Sequence, residues 1–292
     1  MPEKITFTQY NNINSSAGKT ISTDGYNTIV TDVTGFENAP DIDDRSQDSI
    51  NTYGRVNGYV RVKERIITIT ITCLYNTDTG RNTMYRDAII EGTLPGAHGD
   101  LTIENDRGIF LIKDAYVTKR TINNISQAPY IRMTTVVIEV TANKPYMLHN
   151  GEKCIDVHTS FGPASLKYTY KYPDKYNKSG KPTYVVVNNN GNTECPLLVT
   201  LNGYLNNPLL EIQQRDTGFY RKLKLNATVL PGETAYINAY TGEILVNGEY
   251  NPIVNIGDLV TDISIPPGDT VLTLSADAGS GYATVCYGDA II

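Results

Sequence analysis

The sequence predicts a mainly β protein with one short helix, arranged as two β domains. Three observations carry that expectation. From Ile67 to Tyr75 the chain alternates strictly, with Ile67, Ile69, Ile71, Cys73 and Tyr75 on one face and Thr68, Thr70 and Thr72 on the other, the period-two signature of a half-buried strand. Many other short β-branched runs are separated by Gly, Asn, Asp and Pro. Only Asn82 to Glu91 sets apolar residues (Met84, Tyr85, Ala88, Ile89) at helical spacing, with Asn82 as the cap and Gly92 as the stop.

Taken in order, Ile5 to Asn12 reads as a first strand, Ser15-Ser16-Ala17-Gly18 as a polar turn and Asn27 to Val33 as a second strand. Pro40 to Gly58 then reads as a polar loop of about twenty residues, a length that usually marks function or mobility inside a compact domain. The alternating strand, Arg65 to Tyr75, organises this half, since each buried isoleucine stabilises by roughly 1.5–3 kcal/mol. After the helix, Leu94-Pro95-Gly96 turns the chain. Asp100–Glu104, Asn105-Asp106-Arg107-Gly108 and Ile109–Val117 spell a hairpin. Ile131 to Thr141 alternates less cleanly and reads as a strand buried on both sides. The first domain, residues 1–145, closes at Asn143-Lys144-Pro145.

The second domain, residues 146–292, reads as about nine short strands with regular turns. They are Tyr184–Val187, Leu197–Leu201, Leu209–Gln213, Phe219–Leu225, Ala235–Asn238, Glu243–Val246, Asp262–Ile265, Val271–Leu274 and Tyr282–Tyr287. Turn chemistry between them includes Asn202-Gly203, Pro231-Gly232, Asn247-Gly248 and Pro267-Gly268. This is the pattern of a β-sandwich of jelly-roll or lectin type.

Length and charge exclude several classes. At 292 residues the chain suits two domains. A net charge of −6 argues against a general nucleic-acid binder, which needs a basic footprint. No basic and apolar leader opens the chain, and no apolar run nears the ~18 residues of a membrane span. Synthesis in a cytoplasm, without membrane insertion, is the expectation. The cysteines Cys73, Cys154, Cys195 and Cys286 form no C-x-x-C pair, so neither a zinc site nor a redox motif is expected. Without secretion a disulfide framework is not expected either.

No catalytic, cofactor or metal site emerges. Asp41-Ile42-Asp43-Asp44 is the densest acidic cluster, but Arg45 and Ser46 stand where a calcium loop wants an oxygen ligand and glycine, and a solvated loop is the better reading. Gly279-Ser280-Gly281 opens like a phosphate-binding fingerprint, yet a strand follows it rather than a helix, so it reads as a hairpin turn. His98, His149 and His158 lie at no metal-binding spacing. Leu166 to Lys181 interleaves tyrosines with lysines; stacking on nucleic acid is possible chemistry, but in an acidic chain a subunit contact is preferred.

Read together, the halves resemble the distal tail protein family of tailed bacteriophages over essentially the whole chain. In the first half the resemblance rests on Arg65–Tyr75, the helix Met84–Ile90, Leu94-Pro95-Gly96, the Asp106-Arg107-Gly108 hairpin and Ile131–Thr141 ending in Asn143-Lys144-Pro145-Tyr146. In the second it rests on Val187-Asn188-Asn189-Asn190-Gly191 leading to Cys195-Pro196-Leu197-Leu198-Val199, then Asn206-Asn207-Pro208 and Ile265-Pro266-Pro267-Gly268-Asp269. The sequence departs from the family at Asn238 and Asp269, where aspartate and asparagine are more usual, and in the Tyr/Lys segment 166–181, which looks like an insertion. The resemblance implies a ring-forming belt domain followed by a galectin-like or carbohydrate-module-like sandwich. It further implies a non-enzymatic homo-hexamer in the virion that joins the tail tube to tail tip or baseplate hub proteins, with receptor-binding or other peripheral proteins docking outside. The competing reading is a carbohydrate-binding module or adhesin, weakened by the absence of tryptophan. A tail-tube-like protein that polymerises is a third.

Overall fold

The alternating stretch is strand Arg65–Leu74, with Ile67, Ile69, Ile71 and Cys73 buried and Thr68, Thr70 and Thr72 half-buried. The structure is a computed structural model that describes residues 4–10, 17–44, 47–48, 55–56, 60–74, 81–127, 131–159, 184–214, 216–251 and 254–292. By internal contacts the chain divides into Met1–Gly151 with Ile291–Ile292, and Glu152–Ala290.

The first unit holds β1 (Lys4–Tyr10), β2 (Ala17–Ser22), β3 (Thr28–Thr34), β4 (Ile42–Asp44), β5 (Gln47–Asp48), β6 (Arg55–Val56), β7 (Val60–Val62) and β8 (Arg65–Leu74). Helix α1 (Arg81–Gly92), β9 (His98–Asn105), β10 (Gly108–Gln127), β11 (Ile131–Ala142) and the start of β12 (Met147–His158) follow. All pairings are antiparallel, in the spatial order β2-β1-β9-β10-β11-β8-β3. β10 serves three neighbours, β9, β11 and, at Phe110 and Leu111, β12, and it is irregular twice, between Ile112 and Ala115 and between Val117 and Lys119. Its first part pairs with β9 and its second with β11, the re-aiming that bulges allow.

Ile5, Phe7, Ile69, Leu101, Ile112 and Ile138 belong to one buried cluster. β11 alternates, with Val136, Ile138 and Val140 buried and Val137 and Glu139 half-buried, so the strand expected to be buried on both sides is buried on one. The helix begins one residue earlier than expected, which places Asn82 inside it rather than at the cap. It ends where Gly92 lies against Ile21, with an added Cβ only 2.1 Å from Ile21 Cδ1. The Arg120 guanidinium donates to the carbonyls of Ile90 and Thr93, meeting acceptors that the last turn leaves open.

The second unit takes the end of β12 and then β13 (Val185–Asn189), β14 (Cys195–Pro196), β15 (Leu198–Asn206), β16 (Leu209–Gln214), β17 (Phe219–Lys224) and β18 (Thr228–Val229). β19 (Thr234–Asn238), β20 (Glu243–Val246), β21 (Glu249–Tyr250), β22 (Ser264–Ile265), β23 (Gly268–Ser275) and β24 (Ala278–Ile291) complete it. One sheet runs β12-β24-β15-β19-β20-β21 and the other β13-β23-β16-β17. The central strands alternate: Val199, Leu201, Leu210, Ile212, Leu272 and Val285 are fully buried while their sequence neighbours are not. Two sheets with one buried face each are the layers of a β-sandwich. Asn189 joins the pieces: its amide donates to the Thr193 and Ile265 carbonyls at 2.9 and 3.1 Å and accepts from the Ala290 and Gly191 N–H groups.

Candidate assembly surfaces

The stretch expected as a polar loop is, in its described part, an antiparallel arm. Ile42–Asp44 pairs with Val60–Val62, and Gln47–Asp48 with Arg55–Val56. Its ladders are two and three residues long, too short for a periodic signal in sequence. Register sets Asp43 opposite Arg61, opposite charges across the longer ladder. Ile42 and Val62 form a cross-strand pair left 59% and 37% exposed. An exposed apolar pair on a thin arm is surface that the first unit does not cover.

The base of the arm is fixed by one residue. Arg65 is 2% exposed, and its Nη1 donates to the carbonyls of Gly35, Phe36 and Asn38 at 3.2, 2.9 and 2.7 Å. Its Nε donates to the Pro145 carbonyl at 2.8 Å. Burial lowers the pKa of the guanidinium, and it is held by backbone dipoles that match its planar fork. The Lys63 N–H donates to the Asp41 carbonyl at 2.8 Å and closes the neck.

A polar cluster forms at the first irregularity of β10. Tyr10 donates its hydroxyl to Asp100, which also meets Lys113 Nζ at 3.2 Å and the Asp114 N–H at 3.3 Å. Asp114 sits at φ 51° and faces His98 at 3.8 Å, and His98 stacks on Tyr116. Burial, with Asp100 beside it, pushes the Tyr10 hydroxyl far above its usual value; burial likewise raises the Asp114 carboxyl against the opposing pull of His98. Sequence reading missed the cluster because only the bulge brings Asp114 back to Asp100. The other histidines lie elsewhere: His149 packs on Phe110, and His158 lies by Tyr282. Among the described residues no group of three or more His, Cys, Asp or Glu side chains could hold a metal ion. Among them, too, no helix is long and apolar enough to cross a membrane.

The cysteines require a correction. Cys154 and Cys286 form a disulfide across 132 residues. Spacing could not reveal it, because the strand that carries Cys154 reads as a polar, loop-like stretch and only the fold sets β12 beside β24. Cys73 and Cys195 are free and buried, and burial raises both thiols to about 11. Gly279-Ser280-Gly281 is also not the turn itself. It lies within β24, opposite Leu205, Tyr204 and Gly203, where a Cβ on Gly281 would stand 2.3 Å from the Asn202 carbonyl oxygen. The Tyr/Lys segment 166–181 lies outside the described residues.

No protein-family model matches this sequence, and no curated protein matches it. Solved structures do. The chain is similar to SPP1 Dit, described as a paradigm of hub adsorption apparatus in Gram-positive infecting phages, with a TM-score of 0.58 at 10% identity over 99% of both chains. It is also similar to a chain of the phage p2 baseplate in its activated conformation with strontium, with a TM-score of 0.52 at 10% identity over 98% of this chain and 99% of that one. The calcium form of that baseplate gives a TM-score of 0.52 at 9% identity over 99% of both chains. The fold is shared from end to end with phage Dit and baseplate proteins.

Proposed function

We propose that this chain is a structural virion protein, a distal tail hub. Six copies close a ring through their first units and join the tail tube to the tip or baseplate. The second unit presents the outward faces of its sheets to peripheral or receptor-binding proteins. The chain is made in the host cytoplasm and ends at the tail tip. The observation that carries this reading is the end-to-end likeness to Dit and baseplate chains. The arm supports it independently, since a pinned neck and an exposed Ile42–Val62 pair suit a contact made with a second copy.

The arm gives the test. Asp41 and Lys63 are already hydrogen-bonded, so residues 42–62 can be replaced by a short Gly-Ser turn without disturbing β8. The shortened chain is expected to fold, by circular dichroism, and to fail to close rings in negative-stain images. Rings at undiminished yield would sink this role for the arm.

A second reading, glycan binding by the second unit, is favoured by one feature. Tyr184, Val186 and Tyr220 stay exposed at 55%, 51% and 45%, and the Tyr220 hydroxyl donates to Glu211 at 2.6 Å. Function belongs to the site and not the fold, so binding on a broad glycan array would be needed to favour it over the hub.

A further inference from the structure

The fold segregates the four cysteines. Cys73 and Cys195 are buried, and the Cys195 sulfur accepts the Gly288 N–H at 3.2 Å. Cys154, by contrast, is exposed and Cys286 half-buried. Burial alternates along β24 from Ala283 to Tyr287, and on β12 Val157 is buried while Asp156 and His158 beside it are not, so Val157 and Val285 point inward and Asp156 and Thr284 do not. The disulfide therefore forms one rung on the outward face of the sheet. Further rungs tie the same two strands without covalent help. Thr284 donates to Asp156 at 2.7 Å, Thr159 and Gly281 exchange hydrogen bonds at 3.0 and 3.2 Å, and His158 lies against Tyr282. Beside the disulfide, Lys153 meets Asp289 at 2.7 Å. None of these contacts involves the sulfurs.

We propose that Cys154–Cys286 is a thiol–disulfide exchange site, a reversible covalent latch on the outward face of the second unit. A small disulfide such as oxidised glutathione closes it and a small dithiol opens it. In closing, one cysteine thiolate attacks the small disulfide and expels a small thiolate. The other cysteine thiolate then attacks the mixed disulfide and expels the second. One protein S–S bond forms and one small-molecule S–S bond is lost. The two protein sulfurs are oxidised, and the small disulfide leaves as two thiols carrying the two protons. The buried Cys73 and Cys195 take no part, because exchange requires an accessible thiolate. Closure restricts a long loop in the unfolded chain and so stabilises the folded one. The timing rests on the proposed function: the latch is open during synthesis in a reducing cytoplasm and closes once particles are released.

The test counts thiols on the full chain. After treatment with oxidised glutathione, native maleimide labelling is expected to add no mass. After dithiothreitol under native conditions it adds two labels, mapped to Cys154 and Cys286, with unchanged circular dichroism. Oxidised glutathione then restores the unlabelled state, and the closed form melts about 10 °C above the open one. The Cys154→Ser/Cys286→Ser variant melts with the open form and answers to neither reagent. Three results would each overturn the latch: no native labelling after dithiothreitol, loss of dichroism on reduction, or failure of oxidised glutathione to close the pair. Ring formation is scored separately, so a chain that exchanges two thiols yet forms no ring removes the hub and leaves the latch.

Discussion

Arg65, at the start of β8, donates its Nε–H to the Pro145 carbonyl at 2.8 Å, tying the entry of the organising strand to the connection between β11 and β12. The same guanidinium holds the Gly35, Phe36 and Asn38 carbonyls at the neck of the arm. Arg65→Met leaves four carbonyls without their donor, and a destabilisation of about 3 kcal/mol is expected in urea unfolding. Arg65→Lys recovers only part of it, because a point ammonium cannot span the fork. If the two variants were equally stable, the carbonyl cage would not be what holds the neck.

The core face of β8 is the largest sequence-legible contribution to the first unit. Ile69 is 2% exposed, so Ile69→Ala should cost roughly 2–5 kcal/mol. Thr70, half-buried on the other face, should cost under about 1 kcal/mol as alanine. Thermal melts of both variants check the contrast.

Acid should loosen the loop at Asp24. Burial alone would raise this carboxyl, but the Thr28 N–H, the Asn27 amide and the N–H groups of Tyr26 and Asn27 hold it well below the usual range. A depressed folded value contributes stability that is present above the ordinary value of about 3.9 and is lost as pH falls through the folded one. The wild-type melting temperature should therefore lose this contribution only below about pH 4, while Asp24→Asn lacks it at every pH. A constant gap between the two proteins from pH 7 to pH 2 would contradict the assignment.

Gly191 presses on the last strand. A Cβ there would stand 1.8 Å from the Ala290 carbonyl oxygen, which accepts the Asn192 N–H at 2.9 Å. Gly191→Ala should cost about 1–3 kcal/mol or more, read as a lower melting temperature of the second unit. Gly232→Ala, where a Cβ meets nothing within 4 Å but φ is +88°, tests backbone strain without a clash and should cost less.

What was legible in the sequence is what period and turn chemistry encode. β8 announced itself by strict alternation, the helix by its spacing, and β13, β15, β16, β17, β19, β20, β22, β23 and β24 by β-branched runs between Asn-Gly and Pro-Gly turns, whereas the two-residue β14, β18 and β21 gave no such signal. The resemblance also reached the right fold, although identity to the solved neighbours is near 10%. Three things were hidden. β12 reads His149-Asn150-Gly151-Glu152-Lys153, a turn-like polar run, yet it is a strand, with Asn150 at φ 60° and Gly151 at φ 78°. The arm is made of ladders too short for any period. The disulfide and the Asp100–Asp114 cluster depend on which strands become neighbours, and that is a property of topology rather than of local sequence.

The most direct test of the hub is the solution mass of the purified chain, by light scattering behind a sizing column, with negative-stain images of the same peak. A ring with a mass near six times 32.2 kDa is expected. A monomer that stays monomeric when mixed with its tail-tube and tip neighbours would contradict it.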